Sequence, residues 1–204
     1  MVVEIISEER LEKYLIATGY DEAKALNLYG WNIQISESFY PLLSATEVCL
    51  RNIIAARMIE LYGAHWWDDN AYLHQIGRGK RIVKTAQDNL RRNGRVTSGR
   101  MTAELNFGFW SKMLLPRHEA VFWADFNTSF SNLPAAVTYA NLFDRCDQVR
   151  VFRNRIFHHE PIFNRNISQE YSQIMELIRW LSPAKEEWIK NYVRVMAVLR
   201  QKPR

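Results

Sequence analysis

The sequence predicts an all-α protein, on three observations. Apolar residues recur at spacings of three and four through most of the chain, strand-like alternation is absent, and Gly or Pro stands where the periodicity lapses. With 204 residues, 48% of them hydrophobic and seven of them Trp, the chain can fill one core of ordinary size. The expected organisation is a single domain over 1–204, with no internal repeat and no low-complexity tract.

The elements follow in order. Ser7 is placed to cap a first helix, with Glu8 and Glu9 at the positive end of its dipole. Asp21 is placed to cap a second, whose apolar positions include Ala25, Leu28, Tyr29, Ile33 and Ile35. Pro41 kinks or restarts that run, and a third helix is expected from Pro41 to Tyr62, stopped by Gly63. Residues 63–77 read as a connection pinned by Trp66 and Trp67. A basic helix is expected from Gly79 to Asn93, stopped by Gly94. A loop to Gly99 then leads into a short apolar segment ending at Leu115, and Pro116 opens another short helix through Phe126. A long helix is expected from Pro134 to about His159, with Tyr139, Leu142, Cys146, Val149, Phe152 and Ile156 on its apolar stripe and Pro161 forcing its end. A helix from Ser168 to Leu181 follows, and Ser182-Pro183 opens a last one to about Arg200.

Composition narrows the functional classes. Only Cys49 and Cys146 occur, each within an apolar helical pattern, which points to buried thiols in a reducing compartment and not to a disulfide framework. The first residues lack the basic and apolar regions of a secretion signal, and no apolar run approaches the roughly 20 residues that cross a bilayer. The expected setting is cytoplasmic, without membrane contact, and the sequons at Asn127 and Asn166 read as chance. Adjacent His158 and His159 project about 100° apart on a helix, and His65, His74 and His118 stand alone, so no metal site is expected. Gly77-Arg78-Gly79-Lys80 lacks the spacing of a phosphate-binding loop, and no organic cofactor is implied.

The net charge of +5 is unevenly spread. Arg78, Lys80, Arg81, Lys84, Arg91, Arg92, Arg95 and Arg100 face a single acid, Asp88, between 78 and 100, a surplus of seven that leaves the rest at about −2. Such clustering suits a polyphosphate partner; the plain alternative is a solvated helix face.

The stretch Arg153-Asn154-Arg155-Ile156-Phe157-His158, followed by His159-Glu160-Pro161, sets an Arg five residues before a His. Around it stand Leu28-Tyr29-Gly30-Trp31-Asn32, Glu47-Val48-Cys49-Leu50-Arg51-Asn52, Glu104 to Trp110 and Trp180-Leu181-Ser182-Pro183. On these runs the chain resembles the Abi-like (abortive infection) branch of the HEPN superfamily from about residue 7 to about residue 190. The resemblance implies a HEPN-like helical bundle with additional N-terminal and connecting helices, and a metal-independent endoribonuclease acting in phage defence or as a toxin. It also implies a homodimer in which two motifs face each other across a two-fold axis, with an antitoxin or other defence partner of unknown identity. Some HEPN toxins carry a Tyr two residues after the motif His that an antitoxin modifies; here that position is Glu160, which puts that regulation in doubt. The alternative is a non-catalytic HEPN module that binds RNA or a protein.

The residue types suit the implied chemistry. Cleavage needs a base for the 2′-hydroxyl, a cation for the phosphorane and an acid for the leaving 5′-oxygen. His158 fits as base or acid, and Arg153 as a planar phosphate clamp. Asn154 lies within about 40° of His158 around a helix and is expected to orient it, whereas Arg153 lies about 140° away. His159 is an accessory candidate, and Arg150 and Arg155 join the RNA-binding set. Glu47 and Arg51, spaced i,i+4, read either as a helix-surface ion pair or, with Asn52, as a buttress of the cleft. Phe107 to Trp110 reads as core packing more readily than as base stacking, with Gly108 expected to let two helices approach closely.

Overall fold

The computed structural model describes residues 6 to 203, which are helical with no strand among them. In chain order the α-helices are α1 (Glu8–Ala17), α2 (Glu22–Ser38), α3 (Tyr40–Tyr62), α4 (Asn70–Gln75), α5 (Gly79–Arg92), α6 (Ser98–Glu104), α7 (Phe107–Lys112), α8 (Glu119–Phe122), α9 (Phe126–Ser129), α10 (Tyr139–Phe157), α11 (Ile167–Leu181), α12 (Pro183–Ile189) and α13 (Val195–Leu199). Short 3-10 turns lie at Trp66–Asp68, Pro116–His118 and Lys190–Tyr192.

The centre is a layer of α3, α10 and α11: α11 packs on both α3 and α10, while α7 wedges between α3 and α10. The N-terminal pair α1 and α2 leans on this layer, and α13 returns from the far end of the chain to pack on α2. The returning chain is fixed by Trp31, whose Nε1 donates to the Val198 carbonyl at 2.9 Å. The aromatic connection forms a second focus, where Trp66, Tyr72, Trp110 and Phe122 are all fully buried and meet edge to face or tilted. Phe107, Phe109 and Trp110 are core residues, as expected, and Trp110 donates to the Leu105 carbonyl at 3.1 Å. Gly108 does not serve a helix crossing: a Cβ there would meet only its own helix's cap, Asn106 Oδ1, at 3.3 Å.

Several boundaries lie where the sequence put them, for the stated reasons. Asp21 accepts from the Lys24 N–H at 3.0 Å, Pro41 stands in the first turn of α3 two residues after the break at Phe39, and Gly63 ends α3 at φ 78°. Others differ. Ser7 precedes α1 but makes no side-chain cap. The segment from 94 to 129 divides into four short helices and a 3-10 turn, because Asn106, Thr97 and Pro116 each start an element. The long helix starts at Tyr139 and not at Pro134, since Thr138 and Asn141 form a reciprocal capping box that defines its first turn. Asn166, dismissed as a chance sequon, caps α11 by accepting from the Gln169 N–H at 3.1 Å. The expected last helix is cut by the 3-10 turn at 190–192 and resumes only as α13.

Candidate functional site

The candidate motif occupies the end of α10, and its termination is tightly built. His158 is the C-terminal cap, and its N–H donates to the Asn154 carbonyl at 2.8 Å. The next two amides close the helix in a Schellman arrangement: His159 N–H donates to Ile156 at 3.0 Å and Glu160 N–H to Arg155 at 2.8 Å. That geometry demands a left-handed residue, and His159 supplies it at φ 55° in place of the usual Gly. A non-glycine residue held there costs about 1–2 kcal/mol, so the surrounding bonds must hold it. They come from Asn32, buried in α2, whose Oδ1 accepts from the N–H groups of Ile162 at 2.8 Å and Phe163 at 3.1 Å. Lys202 adds a bond from Nζ to the Phe163 carbonyl at 2.8 Å. Asn32, the last residue of the Leu28–Asn32 run, is a positioning residue whose role its sequence context does not signal.

Arg153 reaches along α10 to its last residue, Phe157, and across to Glu47 on α3. Its Nη2 lies 3.8 Å from Glu47 Oε2, its Nη1 donates to Asn154 Oδ1 at 3.5 Å, and its guanidinium covers the Phe157 ring at 4.1 Å. The expected partners are thus exchanged. Glu47 pairs across the bundle with Arg153 and not along its own helix with Arg51, because Arg153 is also fixed by stacking on Phe157. Asn154 turns its side-chain carbonyl to Arg153 instead of orienting the His158 imidazole. Arg51 is half-buried, and both its Nε and the Nε of Arg153 are buried without a hydrogen-bond partner among the described residues. Asn52 is exposed. Each guanidinium thus keeps one buried donor unused. His158 and His159 are both exposed.

The basic candidates divide. Arg78, Lys80, Arg81, Lys84, Arg91, Arg92 and Arg95 are exposed on or beside α5, whose opposite face buries Val83, Ala86 and Leu90. Arg100 is not free, because its guanidinium donates to the Asn93 carbonyl at 3.2 Å and to the Arg95 carbonyl, closing the loop after Gly94. Arg150 is paired with Asp147 at 2.8 Å and Arg155 with Glu160 at 3.5 Å. Such half-exposed pairs are weak, typically below about 1 kcal/mol, and a phosphate can displace the carboxylate. α5 packs on α4 and α6, and the motif helix on α11 and α7, so the two basic regions belong to different parts of the bundle.

The apolar residues around the motif are largely spent inside the chain: Phe152 and Ile162 are fully buried and Phe163 nearly so. Phe157 remains 44% exposed. It borders a cleft of about 550 Å³ between α2 and the end of α10, with Ile33, Tyr40 and Ile156 as apolar walls and His159 and Arg10 at its margin. Arg10 donates to the His159 carbonyl at 3.4 Å. Neither Arg10 nor Tyr40 was legible as a site residue, since their spacing in sequence from the motif carries no signal.

His118, set aside as a lone histidine, is buried against Phe122 and accepts at Nε2 from Arg117 Nε at 3.3 Å. Burial, reinforced by the neighbouring Arg117 charge, pushes its pKa down to about 4. The unfolded chain therefore takes up a proton below about pH 6.5 that the folded protein refuses until about pH 4. Stability from this group is complete above pH 6.5 and is lost as pH falls toward 4, by up to about 3 kcal/mol. Urea unfolding at pH 7 and pH 5 is expected to show the loss in the wild type and a smaller one in His118→Gln; equal losses refute it. Both cysteines are free, and burial raises the thiol pKa of each.

Among the described residues no group of three or more His, Cys, Asp or Glu side chains is arranged to hold a metal ion, and no helix is long and apolar enough to cross a membrane. The chain matches no protein-family model, and neither a curated protein nor a solved structure matches it.

Proposed function

We propose that the chain is a metal-independent endoribonuclease, with His158 exchanging protons at the scissile phosphodiester and Arg153 steadying the phosphate charge. The observation that carries this reading is the exposed imidazole of His158, at the end of a helix whose last turns hold Arg153. Arg51, half-buried on α3 and without an ion pair among the described residues, is a further cation available to a phosphate. In the proposed reaction the 2′-oxygen attacks phosphorus as its proton passes to a base, and the P–O5′ bond breaks as the 5′-oxygen gains a proton. One product ends in a 2′,3′-cyclic phosphate, and DNA, which lacks the nucleophile, survives. His159 and the Glu47, Arg51 and Asn52 group are accessory, and the exposed cations of α5 guide the RNA backbone.

Arg153 and His158 diverge around one helix by about 140°, so a composite site in a homodimer is part of the proposal, as the HEPN resemblance implies. A cytoplasmic role in phage defence, with a HEPN-like bundle as its scaffold, rests on the same resemblance. One observation favours a second reading, a non-cleaving RNA-binding or protein-interaction module: the Arg153 guanidinium is already engaged by Glu47, Asn154 and Phe157.

Incubating the purified protein with single-stranded RNA and, separately, DNA in EDTA decides between them. Cleavage of RNA alone, ending in a cyclic phosphate, is the expected result. RNA that is retained in a gel shift but stays intact, with binding that falls steeply with salt, establishes the second reading instead.

A further inference from the structure

We propose that the cleft between α2 and the end of α10 binds a guanine base. Combined with the nuclease reading on which this second half rests, it makes guanine the preferred base beside the scissile phosphate. The cleft's volume of about 550 Å³ falls in the range that receives a nucleotide-sized ligand.

One wall is a helical stripe. Ile33, Ser36, Glu37 and Tyr40 recur at i, i+3, i+4 and i+7, carrying one face of α2 across the break at Phe39 into the first residue of α3. The other wall is the end of α10, with Phe157 and, past the cap, His159. Tyr40 and Phe157 stand open to solvent at 61% and 44%, with ring centroids 6.5 Å apart and planes tilted by 38°. Exposed rings of this kind stack on the flat face of any base. A small rotation of the exposed Tyr40 opens the roughly 7 Å that a flat base needs between two rings. Arg153, lying on Phe157 at 4.1 Å, holds that ring in place.

Polar groups in the same cleft set orientation and choice. Arg10 reaches in from α1 and uses one donor on the His159 carbonyl, which leaves the rest of its planar fork for a phosphate. Glu37 presents an exposed carboxylate that makes no ion pair among the described residues. A carboxylate is an acceptor with two oxygens side by side. Guanine alone among the RNA bases offers two adjacent donors, N1–H and the N2 amino group, on its pairing edge. Adenine and cytosine set an acceptor ring nitrogen beside their amino group, and uracil flanks its one N–H with two carbonyls, so each sets at least one lone pair against Glu37. Phe157 and His159 are the immediate neighbours of His158, which places a base held here within one nucleotide of a phosphate held there.

Mononucleotides contain no phosphodiester to cut, so the wild-type protein tests the pocket apart from catalysis. Calorimetric titration with GMP, AMP, CMP and UMP is expected to show GMP binding about 10-fold more tightly than the others or better. Glu37→Gln, an exposed change that should leave the circular dichroism unaltered, is expected to bring GMP down to their level. Equal affinities, no binding of any nucleotide, or a GMP preference that survives Glu37→Gln overturns the proposal. So does a second copy of the chain covering the cleft, seen as self-association that Tyr40→Glu abolishes while nucleotides fail to bind. GMP binding without RNA cleavage would keep the pocket and remove the nuclease; cleavage indifferent to guanine, with no GMP binding, would do the reverse.

Discussion

Asn32→Leu is expected to destabilise the fold by about 2–5 kcal/mol, the largest stability loss of any single polar substitution near the motif. The reason lies in two amides. Ile162 and Phe163 follow the motif helix into the core, and both backbone N–H groups give their hydrogen bond to the same Asn32 oxygen. Leu fills a similar volume, so little packing is lost, but both donors become buried and unpaired at about 1–3 kcal/mol each. The amides of 162 and 163 should then exchange with solvent much faster, and the left-handed turn at His159 should loosen with them. Urea unfolding together with amide exchange measures both effects. A loss below about 1 kcal/mol, with slow exchange retained, would mean that other contacts carry the turn.

This clasp was out of reach of a sequence reading for a physical reason. Asn32 sits mid-helix among apolar residues, where a lone polar side chain commonly faces solvent, and its partners lie 130 and 131 residues away. The same limit explains Glu47. Helix spacing offered Arg51 as a partner at one turn, yet the pair forms with Arg153 on another helix. Periodicity records which face of a helix is apolar and says nothing of which other helix it meets. Local punctuation, by contrast, was legible wherever one residue type dictates geometry: Asp21 as a cap, Gly63 and Gly94 in positive-φ positions, Pro41 at a helix start, Pro161 beyond a helix end. It misled at Pro134, which looked like a first helical residue, because a box closed by Asn141 departs from the usual Glu or Gln. Of the candidate site, the sequence located the motif at the end of the long helix, and the structure adds that His158 is exposed there. The divergence of Arg153 from His158 followed from helix geometry, but the inward engagement of Arg153 did not. Nor did the cleft beside Phe157, which needs α2 and α10 side by side.

His158→Ala is expected to lower RNA cleavage on the order of 10²–10⁴-fold, the usual contribution of a positioned acid or base. It should leave the unfolding transition where it was. The imidazole is exposed, and the structural duty of this position, its N–H bond to the Asn154 carbonyl, belongs to the backbone and survives the substitution. Arg153→Ala should behave differently. It removes the phosphate clamp, but it also uncovers Phe157 and strands Glu47, so lost activity should come with a stability loss of about 1–2 kcal/mol. Glu47→Gln separates the two contributions, since it weakens the link to Arg153 and leaves the guanidinium in place. It should show only part of the stability loss and little of the catalytic one. Rates on a defined single-stranded RNA, taken beside urea unfolding of the same three variants, check the pattern. Loss of cleavage in Arg153→Ala no greater than in Glu47→Gln would make Arg153 a structural residue, and cleavage by His158→Ala at the wild-type rate would move the chemistry elsewhere.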